Sequence, residues 1–314
     1  MKNKKYCLFS APHYFLDKKK IINSTDFFII FDEIWQKKQI KTNQKISAWI
    51  VNPGQSFIIN EKILNFFPNL KFLITPSTGV NHIDKTECSM RGIKIFSLLD
   101  KRKQLKSIRA SSEFTFLLAL NAIRRLDKAF KEVDNNRWRH KENFLRGREI
   151  FSKKVGIVGL GRIGSNLAKW FNSFGAKVFY YDPIVKNRTY VKKTIKDIFK
   201  ICDLICICCS LTFKTQKLIN LKFLLKMKKN SILVNSSRGE VINENDLIKF
   251  LKKRKDVFFT SDVLSGETRA THLKSKLVNY HKKRRVLLTP HIAGATIESQ
   301  IKAATISINI LKGL

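Results

Sequence analysis

The chain has 314 residues, 44% of them hydrophobic, and a formal net charge of +37. That length can bury a large core and favours two domains over one, and the apolar fraction is ordinary for a globular protein. No apolar run approaches the ~20 residues of a membrane span; the longest candidate, Phe114–Ile123, is broken by Asn121 and reads as a buried helix.

The charge admits two readings. Clusters such as Lys101–Lys103, Lys252–Lys255 and Lys282–Arg285 would suit a nucleic-acid footprint. The basic residues are nevertheless spread over the whole length. Lys, Asn, Ile and Phe are abundant while Gly, Ala and Pro are scarce. We therefore read the charge as compositional bias and expect no nucleic-acid partner, although a positive surface could steer anionic substrates. The N-terminal stretch MKNKKYCLFSAPHYF has too short an apolar part for a signal peptide, so the expected location is the cytoplasm. Four of six cysteines crowd into ICDLICICCS (201–210). They lack metal-site spacing and alternate with aliphatic residues, which reads as an internal strand rather than a metal or redox site. No metal is expected.

Along the first 107 residues, Tyr6–Ser10, Phe27–Phe31, Ala48–Val51, Lys71–Thr75 and Lys94–Ser97 are short apolar runs of strand type. Helical stretches such as Glu61–Phe67 lie between them, and this alternation implies a parallel sheet. Asp84–Arg91 reads as a helix stopped at Gly92. The segment TPSTGVNHID (75–84) places Ser77, Thr78 and Gly79 just past a strand, where α/β sheets bind ligands. Its backbone N–H groups can hold a carboxylate, or it is an ordinary loop. Ser111–Leu126 is an apolar helix with a polar start and a basic end, as the helix dipole favours. Asp127–Arg148 reads as helix then loop.

The central stretch is Lys154–Pro183, KVGIVGLGRIGSNLAKWFNSFGAKVFYYDP. A strand runs into Gly159, Gly161 and Gly164, spaced G-x-G-x-x-G. Ala168, Trp170, Phe171 and Phe174 follow at helical spacing, then Gly175 as a C-cap and Lys177–Tyr181 as a second strand. The glycines suit a tight turn, close approach of a pyrophosphate, and close helix packing. Amides near Arg162 and Ile163 at the helix start favour a phosphate. Asp182 ends the second strand, where a carboxylate accepts from a ribose diol and repels a 2′-phosphate, so the cofactor read here is NAD.

Beyond it, Ile195–Ile201, Leu221–Met227, Asn243–Lys252 and Thr296–Leu311 read as helices. Leu204–Cys209, Ser231–Asn235, Val257–Ser261 and Val286–Thr289 read as strands. Three segments stand at strand ends: NSSRG (235–239), DVLSGE (262–267) and TPHIAG (289–294). They offer an arginine, two acids and an imidazole. Arginine grips a planar carboxylate with paired hydrogen bonds. Histidine can protonate a carbonyl oxygen as hydride arrives, and a neighbouring carboxylate would keep it charged and oriented.

These motifs resemble the D-isomer-specific 2-hydroxyacid dehydrogenases, phosphoglycerate dehydrogenase among them. The likeness runs through STGVNHID, SSEFT, GLGRIG, YYDP, SLTFKTQKLIN, NSSRGEVINENDL, DVLSGE and TPHIAGAT, nearly the whole chain. It implies two Rossmann-like doubly wound parallel-sheet domains with a cleft between them. The substrate domain would comprise residues 1–107 and a C-terminal return, 289–314, with the NAD domain at 108–288. It implies hydride transfer between NAD(H) and a D-2-hydroxy or 2-keto acid, with 3-phosphoglycerate among the candidates, in a homodimer. By the same likeness Arg238 binds the substrate carboxylate, Glu267 pairs with His291 as the acid/base, and Asp262 meets the nicotinamide carboxamide. Thr78 and Gly79 would present amides to the substrate, and Ser237 and Gly294 fall on the cofactor side. Family members commonly carry His and Pro where this chain has Cys208 and Ser210, and Pro where it has Thr268. The competing class is a non-enzymatic NAD-sensing or polyanion-binding protein on the same fold.

Overall fold

The computed structural model describes residues 5–139, 142–269 and 271–314. Residues 1–4 of the basic N-terminal stretch, and 140–141 within the Asp127–Arg148 segment, lie outside the described residues. The chain divides into two compact units. One holds residues 1–109, 267–270 and 295–314; the other holds 110–266 and 271–294. Residues 289–294, grouped with the C-terminal return in the sequence reading, fall in the second unit.

In the first unit the strands are β1 (Tyr6–Phe9), β2 (Phe28–Phe31), β3 (Ile46–Ile50), β4 (Phe72–Thr75) and β5 (Lys94–Ser97). Its helices are α1 (Lys18–Ile22), α2 (Glu61–Leu64), α3 (Lys85–Met90) and α4 (Arg102–Leu105). The second unit begins with α5 (Ala110–Arg124), α6 (Leu126–Asp134) and α7 (Glu142–Leu145). Its strands are β6 (Lys154–Val158), β7 (Lys177–Tyr181), β8 (Val191–Lys192), β9 (Leu204–Ile207), β10 (Ile232–Asn235), β11 (Phe258–Ser261) and β12 (Val286–Leu288). Among them lie α8 (Arg162–Ser173), α9 (Ile195–Ile201), α10 (Leu221–Leu224), α11 (Glu244–Lys253) and α12 (Lys276–Lys282). The last helix, α13 (Ile297–Leu311), returns to the first unit.

Among the described residues the first sheet has the order β2-β1-β3-β4-β5 and the second β12-β11-β10-β9-β6-β7-β8. Both pair in parallel throughout. These are the flavodoxin-like and dinucleotide-binding orders of doubly wound folds. In the second sheet the order reverses direction between β6 and β9, and ligands of such sheets bind outside the strand ends at that point.

Each sheet is covered on both faces, which is why its strands read as unbroken apolar runs. On one face of the second sheet, Val155, Ile157 and Cys206 meet Leu118 and Ala122 of α5 and Leu167 and Phe171 of α8. On the other, Val158, Ile205 and Ile207 meet Ile198 and Phe199 of α9 and Phe250 and Leu251 of α11. The first sheet packs Phe9, Ile50 and Ile74 under α13, and Trp49, Ile63, Leu64 and Cys88 on its opposite face.

The same alternation settles how the cysteine cluster is laid out. Cys202 packs in one core layer and Cys206 in the other. All six cysteines are free. Burial pushes the Cys202 thiol up to about 12 and Cys209 up to about 11, and holds Cys206 and Cys208 well above the ordinary thiol range. Such thiols are protonated packing groups at neutral pH.

Candidate active site

The dinucleotide end of the second unit is built where β6 stops. Gly159 adopts φ +96°, a left-handed conformation that penalises any side chain. A Cβ there would also lie 2.6 Å from the Cys209 backbone nitrogen. The turn is therefore pressed against the segment leaving β9, across the point where the sheet order reverses. Gly164 has a different reason: its Cβ would stand 2.0 Å from the Gly159 carbonyl oxygen, so the first turn of α8 sits directly on the loop. Gly161 is the N-cap, and nothing lies within 4 Å of where its Cβ would be. That open side, facing first-turn amides that the helix cannot satisfy itself, suits a pyrophosphate. Burial lowers the Arg162 guanidinium from its usual value.

Asp182 stands at the end of β7 and is nearly buried. One of its oxygens accepts from Leu160 N at 2.8 Å; the other accepts from Ile184 N at 2.9 Å and Val185 N at 2.8 Å. The carboxylate thus ties the glycine turn to the loop after β7. Burial works against its charge, but these amides and Lys192 outweigh it and hold the carboxyl below the usual range. A carboxylate offers about four lone-pair sites; three amide bonds leave capacity for a ribose hydroxyl. The residues present fit NAD.

Three further segments of the unit, after β10, β11 and β12, carry Arg238, Asp262 and His291. Asn235 ends β10. Its Oδ1 accepts from Ser237 N at 3.1 Å and Ser237 Oγ at 2.9 Å, and its Nδ2 donates to the Arg238 carbonyl at 3.1 Å. This side-chain-closed turn sets Ser237 and Arg238 at the strand end. Half-buried Arg238 donates from Nη1 to Ser237 O at 2.7 Å. Gly239 lies so close to the DVLSGE segment that a Cβ would be 2.0 Å from the Leu264 carbonyl carbon.

Asp262, wholly buried after β11, is the hub. It accepts from Thr289 Oγ1 at 2.6 Å, Ile292 N at 3.0 Å and Ala293 N at 2.8 Å. Its own carbonyl accepts from His291 N at 2.8 Å. The loop Thr289–Ala293 is thereby wrapped round a single carboxylate. His291 at its centre is exposed and adopts φ +56°. A non-glycine residue there is strained and needs such surrounding bonds to hold it. Gly294 follows, exposed, in the same unit.

The structure thus brings Gly159, Gly161, Arg162, Ile163, Gly164, Asp182, Ser237, Arg238, Asp262, His291 and Gly294 into the second unit. All lie at or beyond the C-terminal strand ends, apart from the α8 residues. Glu267 opens the helical turn Glu267–Arg269, which groups with the first unit. Thr78 and Gly79 lie half-buried in the turn after β4 of the first unit. Two residues that the sequence reading passed over support these positions. Asn235 shapes the arginine turn, and Glu240 Oε1 accepts from Gly266 N at 3.0 Å just before Glu267. The signal for Asn235 was its type: Asn at a strand end readily closes a local turn. Glu240 carried no such signal. Among the described residues no group of three or more His, Cys, Asp or Glu could hold a metal ion, and no helix is long and apolar enough to cross a membrane.

Fold and turn chemistry together define a dinucleotide-binding α/β protein of two parallel-sheet units. The sequence profile of the D-isomer specific 2-hydroxyacid dehydrogenase, NAD binding domain, matches residues 116–293. Glyoxylate reductase of Thermofilum pendens is 35% identical over 270 residues, 81% of this chain and 76% of that one. Human glyoxylate reductase/hydroxypyruvate reductase is 32% identical, over 78% of this chain and 74% of its own. The D-lactate dehydrogenase of Aquifex aeolicus superposes with a TM-score of 0.82 at 24% identity, covering 98% of this chain and 95% of that one, a likeness of fold. The chain belongs to the D-isomer-specific 2-hydroxyacid dehydrogenase family. It is an NAD-dependent oxidoreductase that transfers a hydride between NAD(H) and a 2-hydroxy or 2-keto acid.

Proposed function

We propose that the protein reduces a short 2-keto acid, glyoxylate or hydroxypyruvate, to the D-2-hydroxy acid with NADH. The observation that carries this reading is the Asp262-bound loop, which holds an exposed His291 in the unit that bears the glycine turn. The substrate choice follows relatives named for these acids. The dihydronicotinamide supplies the hydride to the keto carbon. His291 gives its proton to the keto oxygen, and Arg238 grips the carboxylate with its planar fork. The amides of Thr78 and Gly79 offer donors for a substrate carboxylate. On the cofactor side the Gly159–Gly164 turn would take the pyrophosphate and Asp182 the ribose, flanked by Ser237 and Gly294, while the wholly buried Asp262 holds the loop that bears His291. Six free thiols suit a reducing compartment, which we take to be the cytoplasm.

The test is the loss of NADH absorbance with glyoxylate, hydroxypyruvate, pyruvate and 3-phosphohydroxypyruvate, with NADPH as control. Turnover of glyoxylate or hydroxypyruvate with NADH, and much slower turnover with NADPH, is expected. Silence on every acid while NADH still binds would overturn the reading.

We assign the homodimer to the second unit. There Leu117, Leu126, Phe130, Val133 and Trp138 on and around α5 and α6 are exposed, Phe130 at 63% and Trp138 at 74%. Apolar side chains grouped in this way mark an interaction surface. Sedimentation should give twice the 36.5 kDa chain mass, and Phe130→Glu should halve it. A wild-type protein sedimenting as a monomer rules the assignment out.

A further inference from the structure

The turn that bears Thr78 and Gly79 is backed by a chain of hydroxyls ending in a buried imidazole. His82 Nε2 lies 3.2 Å from Thr75 Oγ1, and Thr75 Oγ1 lies 2.9 Å from Ser77 Oγ. Ser77 Oγ is in turn 2.7 Å from the Gly79 carbonyl oxygen. Thr75 is fully buried and His82 is 5% exposed.

Proton counting fixes the direction of this chain. A carbonyl oxygen only accepts, so the one Ser77 hydroxyl proton goes to Gly79 O. Ser77 then has none left for Thr75, so Thr75 donates to Ser77. Thr75 has now spent its own proton, and the His82 contact can be a hydrogen bond only if Nε2 carries the hydrogen. The sequence is His82 Nε2–H to Thr75 to Ser77 to the Gly79 carbonyl. Each oxygen that accepts also donates, an arrangement that strengthens the bonds along it.

The two ends differ in rigidity. His82 is clamped by its carbonyl, which accepts from Ile59 N at 2.8 Å, while Asp84 N donates to Ile59 O at 2.8 Å. Asp84 also caps α3 by accepting from Glu87 N. The other end is a turn whose Thr78, Gly79 and Val80 amides have no protein acceptor among the described residues. In a trans peptide the C=O and the following N–H point in opposite directions. Holding the Gly79 carbonyl toward Ser77 therefore turns the Val80 N–H the opposite way.

We propose that His82, Thr75 and Ser77 form a positioning relay that orients the Gly79–Val80 peptide, adding the Val80 amide to the donors that receive the substrate carboxylate. None of the three need touch substrate. The proposal rests on the 2-keto acid reading above, and its contribution is to substrate affinity rather than to the hydride step.

The test measures kcat, KM for glyoxylate, the NADH dissociation constant and the dissociation constant of oxamate, an unreactive carboxylate, on Thr75→Val, Ser77→Ala, His82→Phe and His82→Gln. A neutral hydrogen bond lost from such a chain corresponds to roughly five- to tenfold in affinity. KM and the oxamate constant should rise by that factor in Thr75→Val, Ser77→Ala and His82→Phe. The NADH constant should not move, and kcat should stay within about twofold. His82→Gln, whose amide can supply the donor near the Nε2 position, should recover most of the affinity. If His82→Phe does not fold, Thr75→Val and Ser77→Ala carry the test alone. Unchanged KM and oxamate binding in those two, in an enzyme whose wild type turns over, overturns the relay and leaves the proposed function standing. A wild type that neither reduces a 2-keto acid nor binds oxamate overturns both.

Discussion

A His291→Gln enzyme is expected to bind NADH as the wild type does and to lose about a thousandfold in kcat, the usual scale for removing a positioned general acid. Glutamine keeps a polar side chain but cannot deliver a proton near neutral pH. His291 N donates to the Asp262 carbonyl, and the flanking amides of Ile292 and Ala293 are held by the Asp262 carboxylate. The backbone therefore persists when only the ring is changed. Folding and cofactor binding should survive, which separates chemistry from collapse of the site. Single-turnover mixing with preformed enzyme–NADH complex reads the step directly. A His291→Gln rate within threefold of wild type would remove His291 from the acid/base role.

Asp262→Ala should be the most damaging single change for stability and activity together. The carboxylate is fully buried and satisfies two backbone N–H groups and a hydroxyl of one loop. Truncation strands those donors, and each buried unsatisfied group costs about 1–3 kcal/mol. Allowing for water entering the space, a net loss of about 3–5 kcal/mol is expected. At about 2–4 °C per kcal/mol, the melting temperature should fall by roughly 10 °C. The loop would also lose the bonds that hold His291 at φ +56°, so residual activity should be low even well below the melting point. Asp262→Asn is the informative companion. Its amide nitrogen must face at least one of the donors, so it should lie between wild type and Asp262→Ala. An Asp262→Ala protein melting within about 2 °C of wild type would show that the carboxylate does not hold the loop.

Much of this was legible in the sequence because its signals are local. The stretch from Lys154 to Pro183 shows its strand, turn, helix and acid in order, and each lies where that order implies. Ile195–Ile201 forms the helix read from its spacing, with Thr194 as its N-cap. Local signals blur at ends. Leu204–Cys209 reads as one strand, yet the ladder stops at Ile207 because the next residues bend against the Gly159 turn. Glu61–Phe67 and Leu221–Met227 read longer than the single turns Glu61–Leu64 and Leu221–Leu224, since the apolar spacing continues while the backbone bonds tighten to three-residue turns, Phe67 N to Leu64 O and Met227 N to Leu224 O. Val191–Lys192, exposed at the sheet edge, has no apolar period to reveal it. Asp127–Arg148 carries a second short helix, Glu142–Leu145, where the sequence reads as loop.

What the sequence could not show is long-range pairing. Nothing near Asp262 states that its partners are Thr289, Ile292 and Ala293, about thirty positions on. The same holds for the strand orders, which are set by how crossovers pack rather than by any residue. The relay behind Thr78 is a middle case. Thr75, Ser77 and His82 are close in sequence, but only their geometry and the single proton of each hydroxyl give the chain a direction.

The way α13 completes the first unit has a consequence for how the protein is made. Ala303, Ile306, Ile308 and Leu311 share a core layer with Phe9, Ala48, Ile50 and Ile74. A ribosome releases β5 long before it releases α13, and at about 5–20 residues per second the interval is on the order of tens of seconds. Throughout that time one apolar face of the five-stranded sheet lacks α13 and is only partly covered, by Ile21, Leu98 and Leu105. The second unit, mostly continuous in sequence, can close its own core while the first waits. Synthesis thus leaves a nascent chain whose amino-terminal third is finished last, and that exposed face is what a ribosome-associated chaperone would meet.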